Sequence, residues 1–310
     1  MSETAESDPG GGRLPDFFLI GAMKAGSTTL WGHLASHPDV FMCRPKEPQF
    51  WSRDAARARG LDWYRSLFAA ARADQLCGEA STCYSRWPHF GDVAGRIAQH
   101  FPRARFVYIL RHPVERAYSH YVHLMDERLL LGDGAVISFE KAIDEIPEIV
   151  DTSLYLTQIE QFLPHYPRSV FHVTILDDLQ QDFEASWGAL QDFLGVARVP
   201  LEPARARAVD NPSGDRVVRV GTRRTIERLE RNPLLGSVSK LVPRPWRADL
   251  QARLERTVLA RRLQERRVKQ HRAGLSPLSP EIRARLAGRL RRPTRDLEEF
   301  LGRRLPGWFE

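Results

Sequence analysis

The chain has 310 residues, 42% of them hydrophobic, with a formal charge of +7 and a pI near 9.6. This is enough for one large α/β domain with a deep core, and the basic excess favours anionic ligands without choosing among nucleotides, polyanions, nucleic acid and lipid headgroups. Three cysteines, Cys43, Cys77 and Cys83, without a CxxC spacing, argue against a disulfide framework and a metal site, and fit reduced thiols in a cytoplasm.

Residues 1–14, beginning MSETAESDPGGG, are polar, acidic and Gly-rich, with neither a basic nor an apolar leader region. They predict a disordered tail ahead of one domain over 15–310. FFLIG at 17–21 reads as a buried strand, and a helix begins near Thr28. FMCRPKEPQFW is a Pro-broken connection. A helical stretch near 61–71 precedes LCGEAST, and another near 89–100 precedes RFVYIL, a second buried strand. Pro113 suits the first turn of the helix HPVERAYSHYVHLMDE, where its missing N–H costs nothing. The helix SLYLTQIEQFLPHY leads to VFHVTIL, and one over 184–194 stops at Gly195. The remainder is Arg-rich and helical, its basic residues forming a solvated face. The alternation predicts an α/β fold with a parallel sheet. The longest apolar runs, such as FVYIL, fall far short of the ~20 residues that cross a bilayer, so no transmembrane segment is expected.

Chemistry enters at FFLIGAMKAGSTTL. Gly21 and Gly26 have the separation of a Walker A loop, but Ser27 stands where its lysine belongs, and Lys24 lies two residues before Gly26. The amides of Ala25, Gly26, Ser27, Thr28 and Thr29 lie at a helix N-terminus, where exposed N–H groups and the dipole favour a phosphate. The loop keeps an anion cradle and moves the charge. A Gly-Ser-Thr turn that only caps a helix is the plainer alternative.

Arg111 leaves the end of a buried strand, where open α/β sheets bind ligands, and its planar fork suits a phosphate. Ser119 follows within two turns of the next helix. An Arg111 pairing with Glu115 and an exposed Ser119 would be the structural account. A polar segment, VDNPSGDRVVRVGTRR, offers Ser213, Gly214 and Arg216 as a flap over a nucleotide, a weak signal that ordinary loops share.

Taken in order, IGAMKAGSTTL, KEPQFW, GEASTCY, YILRHPVERAYSHY and NPSGDR resemble the sulfotransferases that use 3′-phosphoadenosine 5′-phosphosulfate (PAPS), in the branch of bacterial enzymes and Golgi heparan sulfate sulfotransferases. The resemblance implies a single-domain, P-loop NTPase-like central parallel sheet flanked by helices. It implies that Lys24 to Thr29 hold the 5′-phosphosulfate, that Arg111 and Ser119 hold the 3′-phosphate, and that Ser213 to Arg216 cover the cofactor. No metal is required, because a sulfuryl group with a 5′-phosphate leaving group carries less charge than a γ-phosphate and can be stabilised by lysine, amides and hydroxyls. ATP lacks the 3′-phosphate that would fill the arginine site, which gives a basis for discrimination.

Glu47 of KEPQFW takes the position of the base in the heparan sulfate branch, with Phe50 and Trp51 as apolar neighbours that would make it more basic. The plainer alternative is that Lys46 and Glu47 are an exposed charge pair before a proline. His112, His120 and His123 are competing bases, and Glu79 is a third candidate, for which orienting Lys24 or an arginine is the alternative role. The TYPKSGT form of small-molecule sulfotransferases is absent, as are the membrane anchor and evident disulfide of the Golgi enzymes. The expectation is a cytoplasmic enzyme with a small-molecule or glycan acceptor and no nucleic-acid partner, its oligomeric state open. A P-loop nucleotide or metabolite kinase and a non-catalytic polyanion-binding protein using RRLQERRVKQHR are the alternatives.

Overall fold

The computed structural model describes residues 13–131, 136–201, 270 and 272–309. The apolar runs become parallel strands: β1 (Phe17–Gly21), β3 (Leu76–Ala80), β4 (Arg105–Leu110) and β5 (Phe171–Ile175), joined by β2 (Val40–Met42) in the order β2-β3-β1-β4-β5. β2 opens the segment read as a Pro-broken connection. Its three residues are too few to show a period, and it forms because Val40 and Met42 register with Leu76 and Gly78 of β3.

Both faces of the sheet are covered, as near-continuous apolar strands require. Phe18 and Ile20 point into one core with Tyr64, Phe106, Tyr108, Phe162 and Trp308; Phe17 and Leu19 point into another with Leu30, Leu34, Val107, Ile109 and Leu190. The helices are α1 (Ser27–Ser36), α2 (Asp54–Arg57), α3 (Leu61–Ser66), α4 (Val93–Ala98), α5 (Pro113–Leu131), α6 (Phe139–Glu145), α7 (Glu148–Asp151), α8 (Tyr155–Glu160), α9 (Leu176–Gln181), α10 (Phe183–Leu194) and α11 (Pro280–Leu301). α10 ends at Gly195 as the sequence predicts. α3 and α4 are shorter than read. The chain after Ser66 tightens into i,i−3 turns, and α4 waits for Asp92, whose carboxylate accepts from Gly95 N–H at 2.7 Å. α11 buries Leu286, Leu290, Thr294 and Leu297 on one stripe and leaves Arg285, Arg289, Arg291, Arg292 and Arg295 exposed.

The described residues fall in two compact units. The first, within Met1–Ala117, Val150–Asp210 and Ala284–Glu310, holds the whole sheet; the second lies within Tyr118–Ile149 and Asn211–Arg283. In the second, Phe139 packs on Tyr118 and Tyr121, and Arg272 donates twice to the buried Asp126 carboxylate, at 2.6 and 2.9 Å. Residues 1–12 lie outside the described set. Arg13 and Leu14 are placed, Leu14 against the core and Arg13 donating to the Ala73 carbonyl at 2.9 Å. All three cysteines are free and buried, and burial pushes the thiols of Cys77 and Cys83 up to about 11 and about 12. No helix among the described residues is long and apolar enough to cross a membrane.

Candidate active site

β1 is the middle strand, with β3 on one side and β4 on the other, so the loop after Gly21 sits where the winding of the sheet reverses direction. The site is built there. Gly21 has φ +145°, and a Cβ on it would lie 2.3 Å from Ser85 Oγ, whose hydroxyl donates to the Ile20 carbonyl at 2.7 Å. Gly26 has φ +95°, and its Cβ would press on Leu176 at 3.1 Å. A side chain at either position would spread the turn between strand and helix.

No side chain caps α1, so the amides of Ser27, Thr28 and Thr29 open toward the loop. The Ala25 N–H instead turns inward to the Ala22 carbonyl at 3.1 Å, leaving the cradle to the amides that follow it. Ala25 is buried beneath the loop and Lys24 is half-buried on it.

Among the described residues three that are not glycine have positive φ: Lys24 (+67°), Glu47 (+59°) and Gln49 (+57°). Such a conformation costs roughly 1–3 kcal/mol each and persists where surrounding structure imposes it. Two of the three are the candidate charge and the candidate base. Lys46 joins their surroundings: its ammonium donates to Thr28 Oγ1 at 3.0 Å and to Glu47 Oε1 at 3.2 Å. Glu47 also accepts from Thr82 Oγ1 at 3.3 Å and from Gln49 Nε2 at 3.4 Å. The charge pair read from sequence therefore exists, at only 17% and 28% side-chain exposure, and it is tied to the first turn of α1 through Thr28. Phe50 and Trp51 turn into the core, Phe50 stacked on Tyr64 at 4.6 Å.

Glu79, on β3, is fully buried and takes hydrogen bonds from Tyr64 and Ser81. Burial raises its carboxyl from an ordinary 4.5 to about 7, against the lowering effect of its hydroxyl donors. The folded protein thus holds a proton between pH 4.5 and 7 that the unfolded chain releases. The stability this contributes is full below pH 4.5 and is lost as pH rises through 7. Glu79→Gln cannot titrate. Relative to that variant, the wild type should lose about 3 kcal/mol of unfolding free energy from pH 4.5 to 7. Urea unfolding across that range measures it, and parallel curves for the two proteins would reject the assignment.

Arg111 lies at the end of β4, half-buried. Its carbonyl accepts from Tyr155 at 2.6 Å, and its guanidinium makes no hydrogen bond or ion pair among the described residues. Ser119 is half-buried on α5, in the second compact unit. Ser213, Gly214 and Arg216 lie outside the described residues, as does RRLQERRVKQHR apart from Gln270 and Arg272. Of the histidines, His112 accepts from Val114 N–H at 3.2 Å and packs on Phe309, His123 approaches Glu127 at 3.6 Å, and His120 is fully buried.

Two contributors escaped the sequence reading. Arg116 is fully buried, donating to Ser153 Oγ at 2.7 Å and reaching the Met23 carbonyl, beside Lys24, at 3.5 Å. Its place one helical turn after Pro113 and one before His120, on the buried stripe those two positions share, was the available signal. Thr82 carried no signal of its own.

A family model described as the sulfotransferase family matches residues 15–200, which hold the whole sheet. The chain belongs to the sulfotransferase family. Human heparan sulfate glucosamine 3-O-sulfotransferase 6 is 30% identical over 196 residues, 62% of this chain and 56% of that protein. Human bifunctional heparan sulfate N-deacetylase/N-sulfotransferase 3 is 30% identical over 207 residues, 59% of this chain and 22% of that protein. The chain therefore spans about half the length of the first relative, and the match covers under a quarter of the second. A crystal structure of a sulfotransferase from Alicyclobacillus acidocaldarius aligns with TM-score 0.62 and 22% identity, over 96% of this chain and 100% of that one, a likeness of fold. The P-loop NTPase-like sheet expected from the motifs is the one observed.

Proposed function

We propose that this sulfotransferase moves a sulfuryl group from PAPS to a hydroxyl or amine of its acceptor by in-line transfer, releasing 3′-phosphoadenosine 5′-phosphate (PAP). One observation carries the reading: Lys46 bridges Thr28, at the mouth of the anion cradle, and Glu47, the candidate base. Donor group and proton acceptor are thereby held in one place. Lys24 and the amides of Gly26 to Thr29 take the 5′-phosphosulfate and stabilise the charge that grows on the bridging oxygen as the S–O bond breaks. Glu47 takes the proton from the attacking oxygen or nitrogen as the new bond to sulfur forms. This division of labour needs no metal. Arg111 takes the 3′-phosphate; Ser119 and the segment from Ser213 to Arg216 are assigned to the nucleotide by family resemblance.

The acceptor is a small molecule or a glycan, and the names of the relatives make heparan-type oligosaccharides the first to try. Buried free thiols favour a cytoplasmic setting. A kinase reading fares worse, since Ser27 occupies the place of the lysine that would reach β- and γ-phosphates. Calorimetric titration with PAP, without magnesium, tests the donor class against ATP and 5′-AMP. Tight PAP binding alone supports it, and preference for ATP rejects it.

Arg111→Ala should weaken PAP and PAPS by about 10- to 100-fold, the worth of a lost charge-assisted hydrogen bond or two. Adenosine 5′-phosphosulfate, which has no 3′-phosphate, should change little. Equal weakening of all three ligands would remove Arg111 from that role.

A further inference from the structure

The segment that carries Glu47 ends in Gln49, Phe50 and Trp51, and each of these three is gripped by a different hydroxyl-bearing side chain. Gln49 N–H donates to Ser81 Oγ at 3.1 Å, the Phe50 ring stacks on Tyr64 at 4.6 Å and an interplanar angle of 22°, and Trp51 N–H donates to the Tyr84 hydroxyl at 3.2 Å. Two of these hydroxyls converge on one carboxylate: Ser81 donates to Glu79 Oε1 at 2.7 Å and Tyr64 donates to Oε2. At the near end, Glu47 N–H donates to the carbonyl of Ala80, the residue after Glu79, at 2.9 Å.

We propose that Glu79 is a positioning residue that sets the Glu47 segment through Ser81 and Tyr64. The inference rests on the reading of Glu47 as the base. Glu79 is fully buried, so it acts at one remove from the reacting atoms. The reason for a carboxylate lies in hydrogen-bond polarity. A hydroxyl has one proton and two lone pairs. When Ser81 spends its proton on Glu79, its lone pairs are left facing the backbone N–H of Gln49. Without the carboxylate the hydroxyl can rotate its proton toward that N–H and release the segment. Gln49 and Glu47 both carry positive φ, a conformation that relaxes when the grip is lost.

Glu79→Gln, with Ser81→Ala as the milder variant that carries the same readouts should the first not fold, tests this in the full chain. Hydrogen exchange at the Gln49 amide should quicken at least tenfold in either variant. Turnover of PAPS, with water as the acceptor, should fall about tenfold or more, while PAP affinity stays within twofold, since the cradle is built from other residues. In a Glu47→Gln background the same substitutions should cause no additional loss of turnover, because a residue that acts only through Glu47 has nothing left to position. Unchanged exchange at Gln49, or a loss of turnover that multiplies with that of Glu47→Gln, overturns the proposal. Full transfer by Glu47→Gln alone would defeat the base reading instead, and the exchange result would then decide whether Glu79 holds the segment.

Discussion

Lys24→Ala should reduce sulfuryl transfer by about 10²–10³-fold, the usual cost of removing one preorganised charge donor from a developing oxyanion. The loop itself should survive. Its bends are set by Gly21 and Gly26, and Arg116 reaches the Met23 carbonyl, so the turn is held by groups other than the Lys24 side chain as well. Alanine at φ +67° inherits the backbone cost that lysine already bears, so melting temperature should move little. Lys24→Arg separates charge from shape: a planar fork on a longer stem restores the charge without its compact geometry, and activity should recover only in part. Initial rates of transfer from labelled PAPS, with PAP affinity from calorimetry, measure both variants. Unchanged transfer by Lys24→Ala would remove the loop from the chemistry, leaving its glycines as a strand-to-helix turn.

Glu47→Gln should lower transfer by about 10²–10⁴-fold, the range supplied by a positioned general base. The amide has the size of the carboxylate and can still accept from Thr82, but it cannot take a proton and it loses the ion pair with Lys46. PAP affinity should be retained, because the cradle amides and Arg111 are untouched. The contrast with Lys24→Ala is the informative part: one variant alters the stabilisation of the leaving group, the other only the removal of the acceptor's proton. Transfer that survives in Glu47→Gln would move the base elsewhere, with His112 the next to substitute, since it lies beside Arg111 at the end of β4.

Much of the fold was legible in the chain because its strands announce themselves. FFLIG and RFVYIL are apolar without interruption, the mark of strands buried on both faces, and they appear at their expected places as β1 and β4. β2 was not legible, since three residues carry no periodicity and depend on β3 for their hydrogen bonds. Short helices were overread at their ends, where Pro and Gly turns after Trp87 and i,i−3 bonds after Ser66 decide the boundary.

The site divides in the same way. The sequence by itself determined the family and marked the candidate anion loop. The glycines at 21 and 26, the displaced lysine and the hydroxyls that follow are contiguous, and their chemistry is set by local backbone geometry at a helix N-terminus. Only the tertiary structure decided what surrounds Glu47. Its link to Thr28 through Lys46 spans 18 residues, its bond from Thr82 spans 35, and the hydroxyls around Glu79 come from an α3 side chain and the turn after β3. Contacts of that kind depend on which strand ends the sheet order brings side by side, and β3 lies next to β1 through a crossover that no spacing along the chain records.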